Sequence, residues 1–204
     1  MSMRIIGGIH RSRQILAPQS SATRPITDRV KQSLFDRLWS LGVVGTGAPA
    51  SRVLDLFCGT GSLGLEALSR GAEYCTFVEK DRSAVELLGQ NLQAMRLGEQ
   101  AAVLPIDVMH GVSGSWQGML ATEGKLGDAN AGLIFCDPPY AMTRQAKLRM
   151  RIEKLISELA AVTVSGGVLM LRTEGSCLPN TISGWQGPQT HAYGSMSLHF
   201  YHRV

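Results

Sequence analysis

From residue 52 onward, short apolar runs alternate with amphipathic stretches. Arg52–Phe57, Tyr74–Glu79, Ala101–Ile106, Gly132–Cys136 and Val168–Arg172 read as buried strands. Ser62–Ser69, Arg82–Met95 and Arg144–Ala161 read as helices, the last with Leu148, Ile152, Leu155, Ile156 and Leu159 at helical spacing. Thr190–His202 is β-rich, and residues 110–130, with five glycines and no clear period, read as a long loop. Alternation of this kind predicts an α/β fold, a mostly parallel sheet with helices on both faces. Ahead of it, Met3–Ile6 and Gln14–Ala17 read as two short strands around a Gly- and Arg-containing turn. Thr27 is placed to cap a helix carrying Val30, Leu34, Leu38 and Leu41, and Gly42–Pro49 is a linker. The expected division is an N-terminal hairpin and helix over 1–45 and a main domain over 50–204.

The 204 residues are 44% hydrophobic and 18% charged, an ordinary globular balance rather than a disordered one. No apolar run reaches the roughly 18 residues of a membrane span, and the first residues lack a signal-peptide pattern. Cys58, Cys75, Cys136 and Cys177 form no Cys-x-x-Cys pair, so reduced thiols of a cytoplasmic protein are expected, and no metal site. His199 and His202, three apart in a strand-like stretch, fall on opposite faces.

Charge changes the picture more than composition does. The net +4 conceals an arm, residues 1–39, with seven arginines or lysines against Asp28 and Asp36, a balance of +5. The remainder has thirteen basic and fourteen acidic residues, a balance of −1. A basic arm on a near-neutral body suits a polyanionic partner as well as it suits a solvated surface. The arm's candidates for nucleic-acid contact are Arg4, Arg11, Arg13, Arg24, Arg29 and Lys31. A second basic cluster, Arg144, Lys147, Arg149, Arg151 and Lys154, is opposed only by Glu153.

The first chemical motif is Asp55-Leu56-Phe57-Cys58-Gly59-Thr60-Gly61-Ser62-Leu63-Gly64. A Gly-x-Gly-x-x-Gly spacing after a buried strand is a weak dinucleotide signature, but it marks a tight turn that a ligand can approach closely. Asp55 sharpens the choice, because a carboxylate there repels a pyrophosphate and tolerates a cofactor bearing an amino group and a sulfonium. Glu79, ending the second strand, can accept both hydroxyls of a ribose, as NAD sites also do. Asp107, after the third strand, is placed to accept from an adenine amine. Phe57, Thr60, Lys80 and Val108 flank these positions and complete the expected cofactor site.

Asp137-Pro138-Pro139-Tyr140, directly after the fourth strand, is the most specific motif. Proline fixes φ and removes donors, leaving a rigid array of acceptors. An exocyclic amine on a base is a poor nucleophile because its lone pair is delocalised into the ring. The Asp137 carboxylate and the Pro138 carbonyl can hold its two hydrogens, and Tyr140 can stack on the extruded base, worth on the order of 1–3 kcal/mol. The loop by itself leaves open which amine is methylated, guanine N2 or adenine N6 of DNA. A non-catalytic RNA-binding protein of the same fold and a nicotinamide oxidoreductase are the remaining alternatives.

Taken together, the chain resembles the bacterial 16S ribosomal RNA guanine-N2 methyltransferases of the RsmD type. The resemblance runs through Arg4-Ile5-Ile6-Gly7-Gly8, Arg11-Ser12-Arg13, Thr23 to Lys31, Asp55 to Gly61, Leu65 to Ala72, Glu79-Lys80-Asp81 and Asp137 to Tyr140. It implies a Rossmann-like class I methyltransferase fold with a seven-stranded sheet, and S-adenosylmethionine as donor. It also implies a single guanine of 16S rRNA in the small ribosomal subunit as target, the one known as guanine 966. The family's cofactor contacts carry over onto Asp55, Gly59, Gly61, Glu79 and Asp107, and its catalytic loop onto Asp137 to Tyr140. The segment around Thr23–Lys31 is expected over the crevice and the RNA, and Ser12 stands where the family's arm usually has glycine. The protein is expected to act as a cytoplasmic monomer.

Overall fold

The computed structural model describes residues 3–17, 26–45, 52–109, 131–175, 177 and 180–204. Arg24 and the 110–130 loop lie outside them. Seven strands form the main sheet: β3 (Arg52–Leu56), β4 (Tyr74–Val78), β5 (Ala101–Leu104), β6 (Ala131–Cys136), β7 (Thr163–Glu174), β8 (Trp185–Tyr193) and β9 (Met196–Arg203). Their order is β5-β4-β3-β6-β7-β9-β8, with β9 antiparallel to both its neighbours and every other pairing parallel. The chain builds outward from β3 to β5 and then returns to lay β6 against the other side of β3. That reversal opens a crevice at the carboxyl ends of β3 and β6, where ligands bind in sheets of this kind.

Two apolar clusters cover the sheet. One face packs Val53, Phe77, Phe135 and Met170 with α2 (Ser62–Ser69), α3 (Arg82–Met95) and α1 (Asp28–Ser40). The other packs Leu54, Val78, Ile134 and Leu169 against Ile152, Leu155, Ile156 and Leu159 of α5 (Ala146–Leu159). Strand alternation sorts the residues between these faces. The helix expected over Arg144–Ala161 is observed as α5, and a short helix that the sequence pattern did not indicate, α4 (Tyr140–Arg144), precedes it; the extended backbone of Gln145 (ψ 116°) separates the two. His199 is fully buried between the hydroxyls of Thr173 (2.8 Å) and Thr190 (2.7 Å), and His202 is half-buried. The described residues include no helix long and apolar enough to cross a membrane.

The N-terminal arm is anchored rather than appended. Strands β1 (Met3–Arg4) and β2 (Gln14–Ile15) pair antiparallel, and Ile5 and Ile15 join the same cluster as α1 and the sheet. Thr27 caps α1 by accepting from Val30 N. Polar bonds fix the arm along α2. Glu66, with no exposed surface, accepts from Ile6 N (2.8 Å) and Arg70 Nε (2.7 Å), and it faces Lys31 Nζ at 3.8 Å. Lys31 Nζ donates to Arg4 O (2.7 Å) and Ser62 Oγ (3.1 Å). Lower down, Ser69 Oγ donates to Gly7 O (2.6 Å), and Ser69 O accepts from Ile9 N (2.8 Å). A side chain at Gly8 would place its Cβ 1.7 Å from Ser69 O, so only glycine permits this approach. The arm and the Leu65–Ala72 segment are thus the two halves of one contact.

Removing Glu66 leaves the Ile6 N–H and Arg70 Nε without their acceptor and the buried Lys31 without its counter-charge. Glu66→Ala is therefore expected to cost about 3–5 kcal/mol, read from the urea midpoint. Ser12 sits at φ 71°, the left-handed region where a Cβ is strained. Ser12→Gly should stabilise the fold by about 0.5–1 kcal/mol in the same measurement.

Candidate active site

Four carboxylates meet at the carboxyl edge of the sheet, one beyond or within each of β3, β4, β5 and β6. Asp55 projects from β3, Glu79 and Asp107 follow β4 and β5, and Asp137 follows β6. Asp55 and Phe135 lie opposite one another in the β3–β6 ladder, so Asp137 emerges one step beyond Asp55 on the same face.

Asp55 is 1% exposed, and its Oδ2 accepts from Gly64 N at 2.8 Å. Burial pushes its carboxyl up to about 8; the Gly64 bond opposes this, and the Asp137 and Glu79 charges add to it. Glu79 organises the glycine turn. Its Oε2 accepts from Gly59 N (2.9 Å), and its Oε1 accepts from Lys80 N (2.8 Å) and Asp81 N (2.9 Å). Oε1 is saturated by its two amides, and Oε2 keeps one further lone pair for a hydroxyl. Asp107 accepts from Met109 N (2.9 Å) and pairs with Lys80 Nζ (3.0 Å).

The glycines divide their labour. A Cβ on Gly59 (φ 55°) would meet nothing within 4 Å, so this is the position open to a ligand. A Cβ on Gly64 would lie 2.3 Å from Phe77 Cε1, so that glycine serves the packing of α2 on β4. Phe57 adopts φ 58° and leans on the opposite apolar cluster, whereas Thr60 and Val108 are buried and Thr60 O accepts from Asn91 Nδ2 (3.2 Å). Among the described residues no cluster of His, Cys, Asp and Glu could hold a metal ion.

On the β6 side, Asp137 N donates to Leu56 O (3.3 Å), which ties the loop to the end of β3. Asp137 Oδ1 accepts from Arg172 Nε at 2.5 Å, and the Arg172 guanidinium lies 5.5 Å from the centre of the Tyr140 ring. Arg172 sits inside an apolar strand and its partner lies 35 residues away along the chain, so no local motif marks it. Pro138 is buried and Tyr140 half-buried at the start of α4.

The basic residues expected at a nucleic-acid surface separate into groups. Arg4 and Arg29 are exposed near the Ser62 end of α2, with Arg4 paired to Asp28 (2.8 Å). Arg11 and Arg13 are exposed in the hairpin turn, and Arg13 O accepts from Ile5 N (2.9 Å), which sets Arg13 beside the strand that carries Arg4. Arg144 is exposed and forked onto Glu174 (2.5 Å twice), and Lys147 is exposed on α5. Lys31 departs from the expectation. It is 1% exposed and consumed by the anchor at Glu66, Arg4 O and Ser62, so it cannot reach a phosphate.

Known proteins resemble this chain in sequence and in fold. The family profile described as "Conserved hypothetical protein 95" matches residues 3–202. The Bacillus subtilis protein YlbH, provisionally named an rRNA methyltransferase, is 31% identical over 199 residues, covering 98% of each chain. The Escherichia coli protein named ribosomal RNA small subunit methyltransferase D is 36% identical over 138 residues, 68% of this chain and 60% of that one. Among solved structures, the Escherichia coli protein yhhF, provisionally called a methyltransferase, superposes with a TM-score of 0.76 at 28% identity. That match covers 100% of this chain and 98% of the other.

Asp55 generates a prediction of its own. Its carboxyl lies near 3.8 when unfolded and about 8 when folded, so the unfolded chain gives up the proton first. Its contribution to stability is complete below the unfolded value, declines as pH rises between the two, and levels off above the folded one. In denaturation curves without ligand, Asp55→Asn should flatten that decline; an identical pH dependence in the variant would refute the buried-acid assignment.

Proposed function

Because the chain belongs to the Conserved hypothetical protein 95 family, the RsmD-type methyltransferases with a class I fold, we propose that it methylates the exocyclic N2 of a guanine in 16S rRNA. The reading makes it a monomeric enzyme that uses S-adenosylmethionine. The observation that carries it is the junction of β3 and β6, where the acid-lined glycine turn and the Asp137–Tyr140 loop share one crevice.

The residues fit such a cofactor. Gly59 leaves open space, the acids favour a cation and hydroxyls over a pyrophosphate, and Asp55 is a buried acid that a neighbouring cation would ionise. When bound, S-adenosylmethionine supplies an electrophilic methyl group. Asp55 would hold the methionine end, Glu79 a ribose hydroxyl and Asp107 the adenine amine, with Phe57, Thr60, Gly61, Lys80 and Val108 shaping the walls. Asp137 and the Pro138 carbonyl would each accept one hydrogen of the guanine amine, turning its lone pair toward the cofactor. Tyr140 would stack on the base, and Arg4, Arg24, Arg29, Arg144 and Lys147 would contact phosphates near the crevice. Arg11 and Arg13, in the hairpin turn next to the Arg4 strand, would extend the same phosphate-contacting strip. The choice of RNA guanine over DNA adenine is favoured by the arm and by the rRNA-methyltransferase name of the Escherichia coli relative.

Unmodified small subunits incubated with labelled cofactor, with the product mapped by mass spectrometry, test this directly. A single N2-methylguanine in 16S rRNA is expected, and incorporation only into DNA adenine would refute the reading. Asp137→Ala should abolish turnover while leaving cofactor affinity near wild type, whereas Glu79→Ala should weaken cofactor binding in a calorimetric titration. Full activity in the Asp137 variant would overturn the assigned mechanism.

A further inference from the structure

The face of the sheet that carries Asp55 and Asp137 also carries a buried cation. Arg172 is 5% exposed and lies on β7, one residue past Leu171, which pairs with Cys136. Asp137 and Arg172 therefore leave adjacent strands at one level and on one face. The guanidinium touches both chemical members of the loop, bonding Asp137 Oδ1 and facing the Tyr140 ring. Asp137 Oδ2 has no partner among the described residues, and Arg172 Nη1 is buried with none.

This is a poor arrangement for stability. A buried ion pair scarcely repays the desolvation of its charges, and an unsatisfied guanidinium nitrogen adds to the cost. We propose that Arg172 is a positioning residue for methyl transfer, pinning Asp137 by one oxygen so that Oδ2 is the oxygen presented to the target amine. The inference rests on the reading of Asp137 as an amine acceptor. The titratable groups around Asp137 are Arg172 on β7, Asp55 on β3, Cys136 on β6 and Tyr140 on α4, and Arg172 supplies the positive charge among them. Burial pushes the Asp137 carboxyl up, and the guanidinium opposes that shift. Without Arg172 the acid would hold its proton to higher pH, and a protonated oxygen is a weaker acceptor. Lysine would keep the charge but lose the planar guanidinium that bonds Oδ1 through Nε while facing the Tyr140 ring.

The test uses the full chain in wild-type, Arg172→Met and Arg172→Lys forms, with two readouts. Carbon-13 NMR follows titration of the Asp137 carboxyl, assigned with Asp137→Asn. Single-turnover methylation of small subunits at saturating S-adenosylmethionine is followed against pH. Arg172→Met is expected to raise the Asp137 midpoint by about one pH unit or more and lower the single-turnover rate about tenfold at neutral pH, with cofactor affinity unchanged. Arg172→Lys is expected to titrate near wild type while remaining several-fold slower, and it decides the matter if the methionine variant does not fold. A wild-type titration and rate in Arg172→Met, or a wild-type rate in Arg172→Lys, overturns the proposal. So does a loss of cofactor affinity as large as the loss of rate. If the wild-type chain methylates no rRNA, the proposed function falls, and the NMR titration alone decides the role of Arg172.

Discussion

Parallel pairing of β3 with β6 forces two carboxylates, Asp55 and Asp137, onto one edge and one face of the sheet. Neither is held by bulk water. Asp55 is buried against a helix N-terminus and takes one backbone N–H, and Asp137 is half-buried against a guanidinium. Two like charges in so desolvated a crevice cannot both ionise cheaply, so Asp55 keeps its proton up to about 8 while Arg172 balances Asp137. The remaining geometry is arranged around these two acids: the open Gly59, the amides gathered by Glu79, and the cation from β7.

The basic arm obeys a different constraint. Its sequence reads as a strip of charge for a polyanion, yet much of what it contributes is structural. Glu66, Lys31, Ser69 and the glycines at 7 and 8 bind the arm to α2, so arm and crevice cannot move independently without exposing a buried ion pair. A rigid arm carries its exposed arginines at fixed distances from the crevice.

The sequence by itself determined the alternation of strands and helices, the glycine turn and the acid–Pro–Pro–aromatic loop, because each is written in neighbouring residues. Periodicity placed Leu148, Ile152, Leu155, Ile156 and Leu159 on one helix face, and the cap at Thr27 was legible for the same local reason. Only the tertiary structure decided which charges are free and which are spent. Lys31 looked like the other basic residues of its arm until burial against Glu66 and Ser62 removed it from the surface. Arg172 looked like an interruption of an apolar strand until the β6–β7 register set it against Asp137. A charge takes its role from partners that lie 31 to 35 residues away in Ser62, Glu66 and Asp137. No local pattern encodes those distances, whereas desolvation makes them decisive once the chain has folded.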